Sequence, residues 1–325
     1  MDKLILIGAG QIGSRHLQSL SKIDREAQIY VFDKNLIALE RARERYEQIP
    51  QSNLIKSIDY SIDINEFAGD ADVAVVATNA DVRLEVIETL LHRVQVRYLI
   101  LEKVVCQSVE DLRRLSELLR KNQTKAWVNF SRRMMPFFRD IKKNIEENEK
   151  VYIYLEEGDL GLIQSSIHYL DLLLYFSDEK ELLLDGSGVD SHVQRSKRDG
   201  YVELTGVLRG RTERGSELTV VDYRGSKASD VIHIFGGSSR YMFSETLRKA
   251  YRAQAENNWE WIEQSFSIPF QSDLTHRAIE QILDTSECDL PTLEESLCVH
   301  ETLLNLICLH LEKDTGCQHS KIPIT

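Results

Sequence analysis

Residues 4–20 of the chain read LILIGAGQIGSRHLQSL, an apolar run followed by three closely spaced glycines. The apolar run is typical of a short buried β-strand, and the apolar residues after the glycines recur with the period of a helix. Gly8, Gly10 and Gly13 therefore fall in a turn between a strand and a helix. Such a cluster is useful where the backbone turns tightly or another molecule comes very close to it.

Length and composition exclude several classes of protein. A chain of 325 residues is long enough for two domains, and its 42% hydrophobic and 28% charged residues are ordinary for a soluble globular protein. A formal net charge of −12 argues against nucleic acid or an anionic membrane as the main partner. We find no run long enough to span a bilayer and no signal peptide at the start. Five scattered cysteines favour a reduced, cytoplasmic protein.

The first part of the chain alternates between strand and helix periods. We predict strands at 3–7, 28–33, 72–78, 98–103 and 126–130, and helices at 12–23, 35–48, 81–93 and 108–121. This alternation predicts a parallel, doubly wound sheet that is buried on both faces.

From about residue 150 the sequence becomes richer in strands and turns, in the stretches VYIYLEE, YVELTGVLRG, ELTVVDYRG and DVIHIFGG. Their pattern indicates an antiparallel sheet, and a helix is predicted at 290–311. We therefore predict an α/β protein with an N-terminal Rossmann dinucleotide-binding domain at 1–123. A C-terminal α/β domain with a largely antiparallel sheet, at 124–325, is expected to bind the substrate and to form oligomers.

The glycines have the spacing Gly-x-Gly-x-x-Gly of a dinucleotide-binding turn. In such a turn the first glycine bends the chain, the second admits a pyrophosphate and the third lets the helix pack on the strand. Gln11 and Ile12, at the N-terminus of the predicted helix, are candidates to present backbone N–H groups to the phosphates. On the motif alone, a glycine-rich turn without a ligand stays an alternative.

The end of the second strand strengthens the first interpretation. Asp33 follows Gly13 by 20 residues, where an acidic side chain can accept hydrogen bonds from the ribose hydroxyls of adenosine. Its charge would repel the 2′-phosphate of NADP, although the neighbouring Lys34 weakens that preference. We therefore expect NAD as the cofactor, with NADP less favoured.

Two further strand ends reach the same crevice, since ligands bind at the carboxyl ends of the strands in such sheets. Thr78 and Asn79 follow one strand, and Glu102 and Lys103 follow another. A lysine at the end of an apolar strand is unusual for packing, although a surface lysine is the alternative.

At this point the chain resembles a known family. The segments GAGQIG, VATNADVRLEVI, LEKVV, VNFSRRMMP and SSIHYLDLLLYF occur in the order seen in the Gfo/Idh/MocA oxidoreductases, the relatives of glucose–fructose oxidoreductase and inositol dehydrogenase. The resemblance extends over most of the chain. It implies that Lys103 contacts the substrate carbinol and the nicotinamide, with Glu102 beside it in the cofactor site. Val104 stands where proline is usual in the family.

The resemblance also implies a catalytic role for His168 and substrate binding by Asp171. The two residues are three apart on a predicted helix and can face the same side. A neutral imidazole is a suitable acceptor for the proton of a sugar hydroxyl. Many relatives carry aspartate four residues before this histidine, where the present chain has Gln164. A histidine that is hydrogen-bonded within a domain contact is the alternative.

Arg133, at the expected domain junction, is a candidate for binding a carboxylate or phosphate of the substrate. A domain-linking ion pair is the alternative. The pairs Cys308-x-His310 and Cys317-x-His319 have the spacing of no common zinc site, and no metal is predicted.

The leading function is therefore NAD(P)-dependent oxidation of a secondary alcohol on a sugar, cyclitol or nucleotide-sugar. The alternatives are a glycosidase-like enzyme that retains its NAD and a cofactor-binding protein without catalysis. We expect a small carbohydrate-like substrate, no nucleic acid or membrane partner, and a homodimer or homotetramer.

Overall fold

The computed structural model describes residues 1–159, 161–317 and 319–325. The N-terminal domain is built on one parallel sheet with the strand order β3-β2-β1-β4-β5-β6. Its strands are β1 Asp2–Ile7, β2 Ala27–Phe32, β3 Ile55–Ser61, β4 Ala71–Val76, β5 Val96–Leu101 and β6 Lys125–Val128. The order reverses between β1 and β4, and a ligand crevice forms at such a reversal, outside the carboxyl ends of the strands.

Four helices cover this sheet: α1 Gln11–Leu20, α2 Leu36–Glu47, α3 Ala80–Arg93 and α4 Val109–Lys121. The predicted doubly wound domain is confirmed. The edge strand β3 was not predicted, because its sequence IKSIDYS is polar and only partly buried. The last strand, β6, follows the boundary predicted between residues 123 and 124. It nevertheless pairs with β5 and so belongs to the N-terminal sheet. The first sheet therefore ends at Val128.

The C-terminal domain is built on a mixed sheet with the order β16-β15-β14-β13-β7-β12-β11-β8. Its strands are β7 Val151–Gly158, β8 Leu182–Val189, β11 Gly206–Thr212, β12 Glu217–Tyr223, β13 Val231–Gly236, β14 Ser239–Ser244, β15 Lys249–Gln254 and β16 Ile262–Gln264. Within this described sheet β7 and β12 are parallel, and the other neighbours are antiparallel. A separate two-stranded hairpin pairs β9 Gln194–Arg195 with β10 Val202–Glu203. The predicted largely antiparallel sheet is confirmed.

The helices of this half are α5 Pro136–Lys143, α6 Leu162–Ser177, α7 Thr275–Thr285 and α8 Leu293–Thr315. The apolar helix α6 lies against β7, β11 and β12, and α8 contacts both α6 and α4. Burial of these apolar faces stabilises the domain and joins it to the first one. Among the described helices, none combines the length and the apolar character required to cross a membrane.

Candidate active site

The glycine turn after β1 is too crowded for side chains at two of its three glycines. Gly8 has a φ of +94°, and a Cβ there would lie 2.8 Å from the backbone of Ala77 and Thr78. A Cβ on Gly13 would lie 1.8 Å from the carbonyl oxygen of Gly8. A Cβ on Gly10 would meet nothing within 4 Å. Gly8 and Gly13 are therefore required by packing, whereas Gly10 faces open space that a ligand can enter.

The open space at Gly10 lies at the N-terminus of α1. Gly10 caps the helix without a side-chain hydrogen bond, and the first turn carries no acidic residue. Nearby, the Arg45 guanidinium donates hydrogen bonds to Gln11 Oε1 at 2.8 Å and Ser14 Oγ at 2.6 Å. The positive end of the helix dipole and backbone N–H groups favour a phosphate at such a terminus. The turn therefore fits the diphosphate of a dinucleotide.

Asp33 lies at the edge of the same turn. Its carboxylate accepts a hydrogen bond from the Ala9 N–H at 2.7 Å and another from the Asn35 N–H at 2.8 Å. These bonds fix the orientation of the carboxylate beside the glycines, and each oxygen keeps a lone pair for a further donor. The placement fits the predicted contact with ribose hydroxyls.

The ends of β4 and β5 are joined by a buried arginine that the sequence analysis missed. Arg83 in α3 is 1% exposed. Its Nη1 donates to the carbonyl oxygens of Glu102 at 2.6 Å, Val105 at 3.1 Å and Val104, and its Nη2 donates to that of Thr78. Burial lowers the pKa of Arg83 to about 10. Arg83 thus holds the loop that carries Lys103, although Val104 replaces the usual proline.

The Glu102 side chain is held by contacts of its own, besides the bond from Arg83 to its backbone carbonyl. Its Oε1 lies 2.9 Å from His16 Nε2 and accepts a hydrogen bond from Asn129 Nδ2 at 2.5 Å. Burial by itself would raise the pKa of Glu102, but the His16 and Asn129 contacts lower it below its usual value. The His16 ring also contacts Thr275 at 2.8 Å, which ties the site to α7. A contact between Glu102 and a cofactor stays a prediction.

Lys103 and His168 come from different domains and lie in one electrostatic environment. Burial lowers the pKa of Lys103, and the positive charges of Arg132 and Arg198 lower it further. The negative charges of Glu102 and Glu203 oppose this shift without reversing it. Burial also lowers the pKa of His168 well below its usual value, with further contributions from Arg132 and Lys103. The ring of His168 is therefore neutral near pH 7.

The buried Nδ1 atom of the His168 ring has no hydrogen-bond partner among the described residues. In the same helix, the Gln164 backbone N–H donates a hydrogen bond to Glu203 Oε2 at 3.4 Å. One side of the ring contacts Phe130 edge to face, with 6.0 Å between the ring centroids. A proton on this ring is therefore stabilised by no carboxylate in direct contact.

The two arginines after β6 form ion pairs with carboxylates, one buried and one partly buried. Arg133 forms a bidentate ion pair with Asp171 at 2.7 and 2.9 Å, and the Asp171 side chain is 1% exposed. Arg132 pairs in the same way with Glu245 at 2.7 and 2.9 Å. Arg133 therefore forms an ion pair within the protein, in line with the alternative interpretation of this residue. Direct substrate contacts by Arg133 and Asp171 stay predictions.

Comparison with known proteins agrees with this geometry. Residues 3–130 match the sequence model GFO_IDH_MocA, described as an oxidoreductase family with an NAD-binding Rossmann fold. A search of curated proteins finds no match.

Several solved structures share the whole fold at low identity. UDP-N-acetylglucosamine 3-dehydrogenase from Acidithiobacillus ferrooxidans has a TM-score of 0.69 and 14% identity, with 96% of this chain and 98% of that chain covered. A Gfo/Idh/MocA family oxidoreductase from Vibrio cholerae has a TM-score of 0.68 and 17% identity, covering 98% and 100%. A transcriptional regulator from Kluyveromyces lactis has a TM-score of 0.68 and 15% identity, covering 99% and 95%.

The order of the motifs, the glycine turn and the matched sequence model lead to one conclusion. Residues 3–130 form an NAD-binding Rossmann domain of the kind that this oxidoreductase family model describes, and the chain as a whole has the fold of the solved structures named above.

Proposed function

We propose that the chain catalyses reversible, NAD-dependent oxidation of a secondary alcohol on a carbohydrate-like substrate, such as a sugar, a cyclitol or a nucleotide-sugar. The observation that supports the proposal is the electrostatic interaction between Lys103 and His168. They are close enough for the charge of Lys103 to lower the pKa of His168. Lys103 follows β5 at the carboxyl edge of the parallel sheet, where doubly wound folds bind their ligands.

The residues of the chain divide the work between binding and proton transfer. The turn from Gly8 to Gly13 binds the diphosphate, and Asp33, Thr78 and Asn79 hold the rest of the dinucleotide. When bound, the nicotinamide group would accept hydride from the alcohol carbon. Lys103 donates a hydrogen bond to the alcohol oxygen and stabilises its developing negative charge.

His168 accepts the hydroxyl proton, because its lowered pKa keeps the ring neutral. The positive charges of Arg132 and Lys103 disfavour an imidazolium at this position. The accepted proton must therefore leave the ring readily.

The choice of NAD over NADP is supported by Asp33. A 2′-phosphate bound beside its fixed carboxylate would meet a like charge, which is unfavourable. Titration of the purified protein with NAD and NADP tests this choice, and tighter binding of NADP would contradict it.

We also propose that the protein works in the cytoplasm as a homodimer or homotetramer. The five cysteines form no disulfide. The outer face of the C-terminal sheet presents Tyr152 as an exposed aromatic residue, with Tyr154, His233 and Phe235 partly exposed beside it. An apolar sheet face of this kind supports self-association. Light scattering of the wild type and of Tyr152→Glu tests it, and a monomeric wild type would contradict it.

A second function, cofactor binding without net oxidation, is favoured by one observation. The Nδ1 atom of His168 has no partner within the described structure, and Gln164 cannot supply a charge to it. An NAD-retaining enzyme and a regulatory protein both belong to this alternative. Cofactor that remains bound through purification, without net reduction of added NAD, would support it.

The decisive experiment is a screen of sugars, cyclitols and nucleotide-sugars with NAD and with NADP, followed by absorbance of the reduced cofactor. Lys103→Ala and His168→Ala are expected to lose turnover, with His168→Ala slower by about 10² to 10⁴. Both variants should bind NAD as the wild type does. Wild-type turnover in both variants would contradict the proposed site.

A further inference from the structure

The hairpin formed by β9 and β10 contacts both domains. We call residues 194–203 the basic hairpin. At its base, the Glu203 carboxylate accepts a hydrogen bond from the Ile163 N–H at 2.6 Å, at the start of α6. The same helix carries His168. One end of the basic hairpin is therefore fixed beside the candidate catalytic helix.

The other end of the basic hairpin reaches the cofactor domain. The Tyr201 hydroxyl donates a hydrogen bond to Asp81 Oδ1 at 3.2 Å, in the first turn of α3. The Val202 N–H donates to the Pro323 carbonyl oxygen at 2.8 Å. Because α3 starts directly after Asn79, these contacts hold the hairpin next to the strand end predicted to bind the cofactor.

The turn of the basic hairpin has a charge opposite to that of the whole chain. Residues 194–201 contain three basic residues and one acidic residue, a net charge of +2, whereas the whole chain has −12. The three basic side chains, Arg195, Lys197 and Arg198, are exposed. In the part of the chain that the structure describes, none of them forms an ion pair.

Two arginines near the site already hold carboxylates. Arg132 binds the partly buried Glu245 and Arg133 binds the buried Asp171, each through two hydrogen bonds. Arg198 has no such partner among the described residues, yet its charge acts on Lys103 and helps to lower the pKa of that amine. Among the described residues, the Arg198 guanidinium is therefore unpaired and available to a ligand on this side of the site.

We propose that the basic hairpin, chiefly through Arg198 and Lys197, binds an anionic group on the substrate whose hydroxyl lies between Lys103 and His168. This inference rests on the proposed function. The group is a phosphate or a carboxylate, because both accept the paired N–H donors of a guanidinium. An acidic protein would otherwise repel such a substrate, and a local positive charge beside the reacting hydroxyl offsets that repulsion.

The test compares ligands that differ in charge. UDP-glucose, glucuronate and glucose are titrated into the protein in saturating NAD, with calorimetry as the readout. The wild type should bind UDP-glucose, glucuronate or both at least about tenfold more tightly than glucose, and this preference should fall as salt rises. UDP-glucose and glucuronate respectively distinguish a phosphate from a carboxylate as the preferred group.

The variant Lys197→Gln/Arg198→Gln should lose at least about tenfold in affinity for the preferred anionic ligand and none for glucose. The NAD affinity of this variant should stay within about twofold of that of the wild type. Such a result would show that the basic hairpin does not bind the phosphates of the cofactor. Arg198→Lys, alone, should bind with an affinity between those of the wild type and the double variant, because lysine keeps the charge but lacks the paired donors of the guanidinium. Arg120→Gln/Lys121→Gln is the matched control, because it removes the same charge from the far end of α4.

Several outcomes would overturn the inference: no preference for either anionic ligand, binding of none of the three, or unchanged anion affinity in the hairpin variant. A loss of NAD affinity in the hairpin variant would also overturn it. These results are distinct from failure of the proposed function. That function fails if NAD does not bind or if no alcohol is oxidised, whereas turnover of neutral alcohols alone would refute only the hairpin inference.

Discussion

The glycine turn allows cofactor binding to be separated from folding with two single substitutions. Gly10→Ala adds a methyl group where nothing lies within 4 Å, at a φ of −65° that alanine adopts easily. The only expected cost to folding is that of alanine as a helix N-cap, about 0.5–1 kcal/mol. The melting temperature should therefore fall by no more than about 4 °C.

The same methyl group projects into the space that a pyrophosphate must approach. We expect Gly10→Ala to weaken NAD binding by at least about tenfold, which corresponds to about 1.4 kcal/mol. Binding is measured by calorimetric titration, and stability by thermal unfolding without cofactor. Wild-type affinity for NAD in a folded Gly10→Ala protein would refute the assignment of this turn to the diphosphate.

Gly13→Ala is the matched control, because it adds the same methyl group at a crowded position. Its Cβ would lie 1.8 Å from the Gly8 carbonyl oxygen, whereas real Cβ contacts essentially never fall below 3.0 Å. The helix and the turn must therefore separate by about 1.2 Å, and overpacking of this kind typically costs 1–3 kcal/mol. Gly13→Ala should lose more stability than Gly10→Ala. Equal melting temperatures would show that the turn adapts and that the argument from packing is wrong.

Three further predictions concern buried titratable groups. Arg83→Met leaves several carbonyl oxygens without their donor, so the free energy of unfolding, measured with urea, should fall by about 2–4 kcal/mol. A fall below about 1 kcal/mol would contradict the role of Arg83. Burial raises the pKa of Glu157 to about 8, so from pH 4.5 to about 8 the folded state binds a proton that the unfolded state has released. The unfolding free energy therefore falls as pH rises through this window, and Glu157→Gln should remove up to about 1.4 kcal/mol per pH unit from that slope; an unchanged slope would contradict it. Because the pKa of His168 is lowered, kcat/KM for oxidation should decline only well below pH 6.5. Gln164→Asp should move this decline to higher pH, because a nearby carboxylate favours the protonated ring. An unchanged decline in Gln164→Asp would argue against His168 as the base.

The cofactor half of the site could be predicted from short stretches of sequence. The demand on Gly13 is local, since it is crowded by Gly8 of the same turn, and the φ of +94° at Gly8 also belongs to that turn. The positions of Asp33 and Lys103 follow from the alternation of strands and helices, because parallel strands end at one edge of the sheet. No long-range contact had to be known for these predictions.

Long-range packing decided the rest of the site. The partner of Asp171 is an arginine 38 positions earlier in the sequence. Arg83 is buried and bonds the loop after β5 only because α3 packs against that loop. The position of Glu203 depends on a strand of two residues, too short to have a sequence pattern of its own. Pairing between charges distant in sequence depends on which faces the two domains bury against each other. That choice is made by the tertiary structure, since a buried charge must find its partner wherever the fold places one.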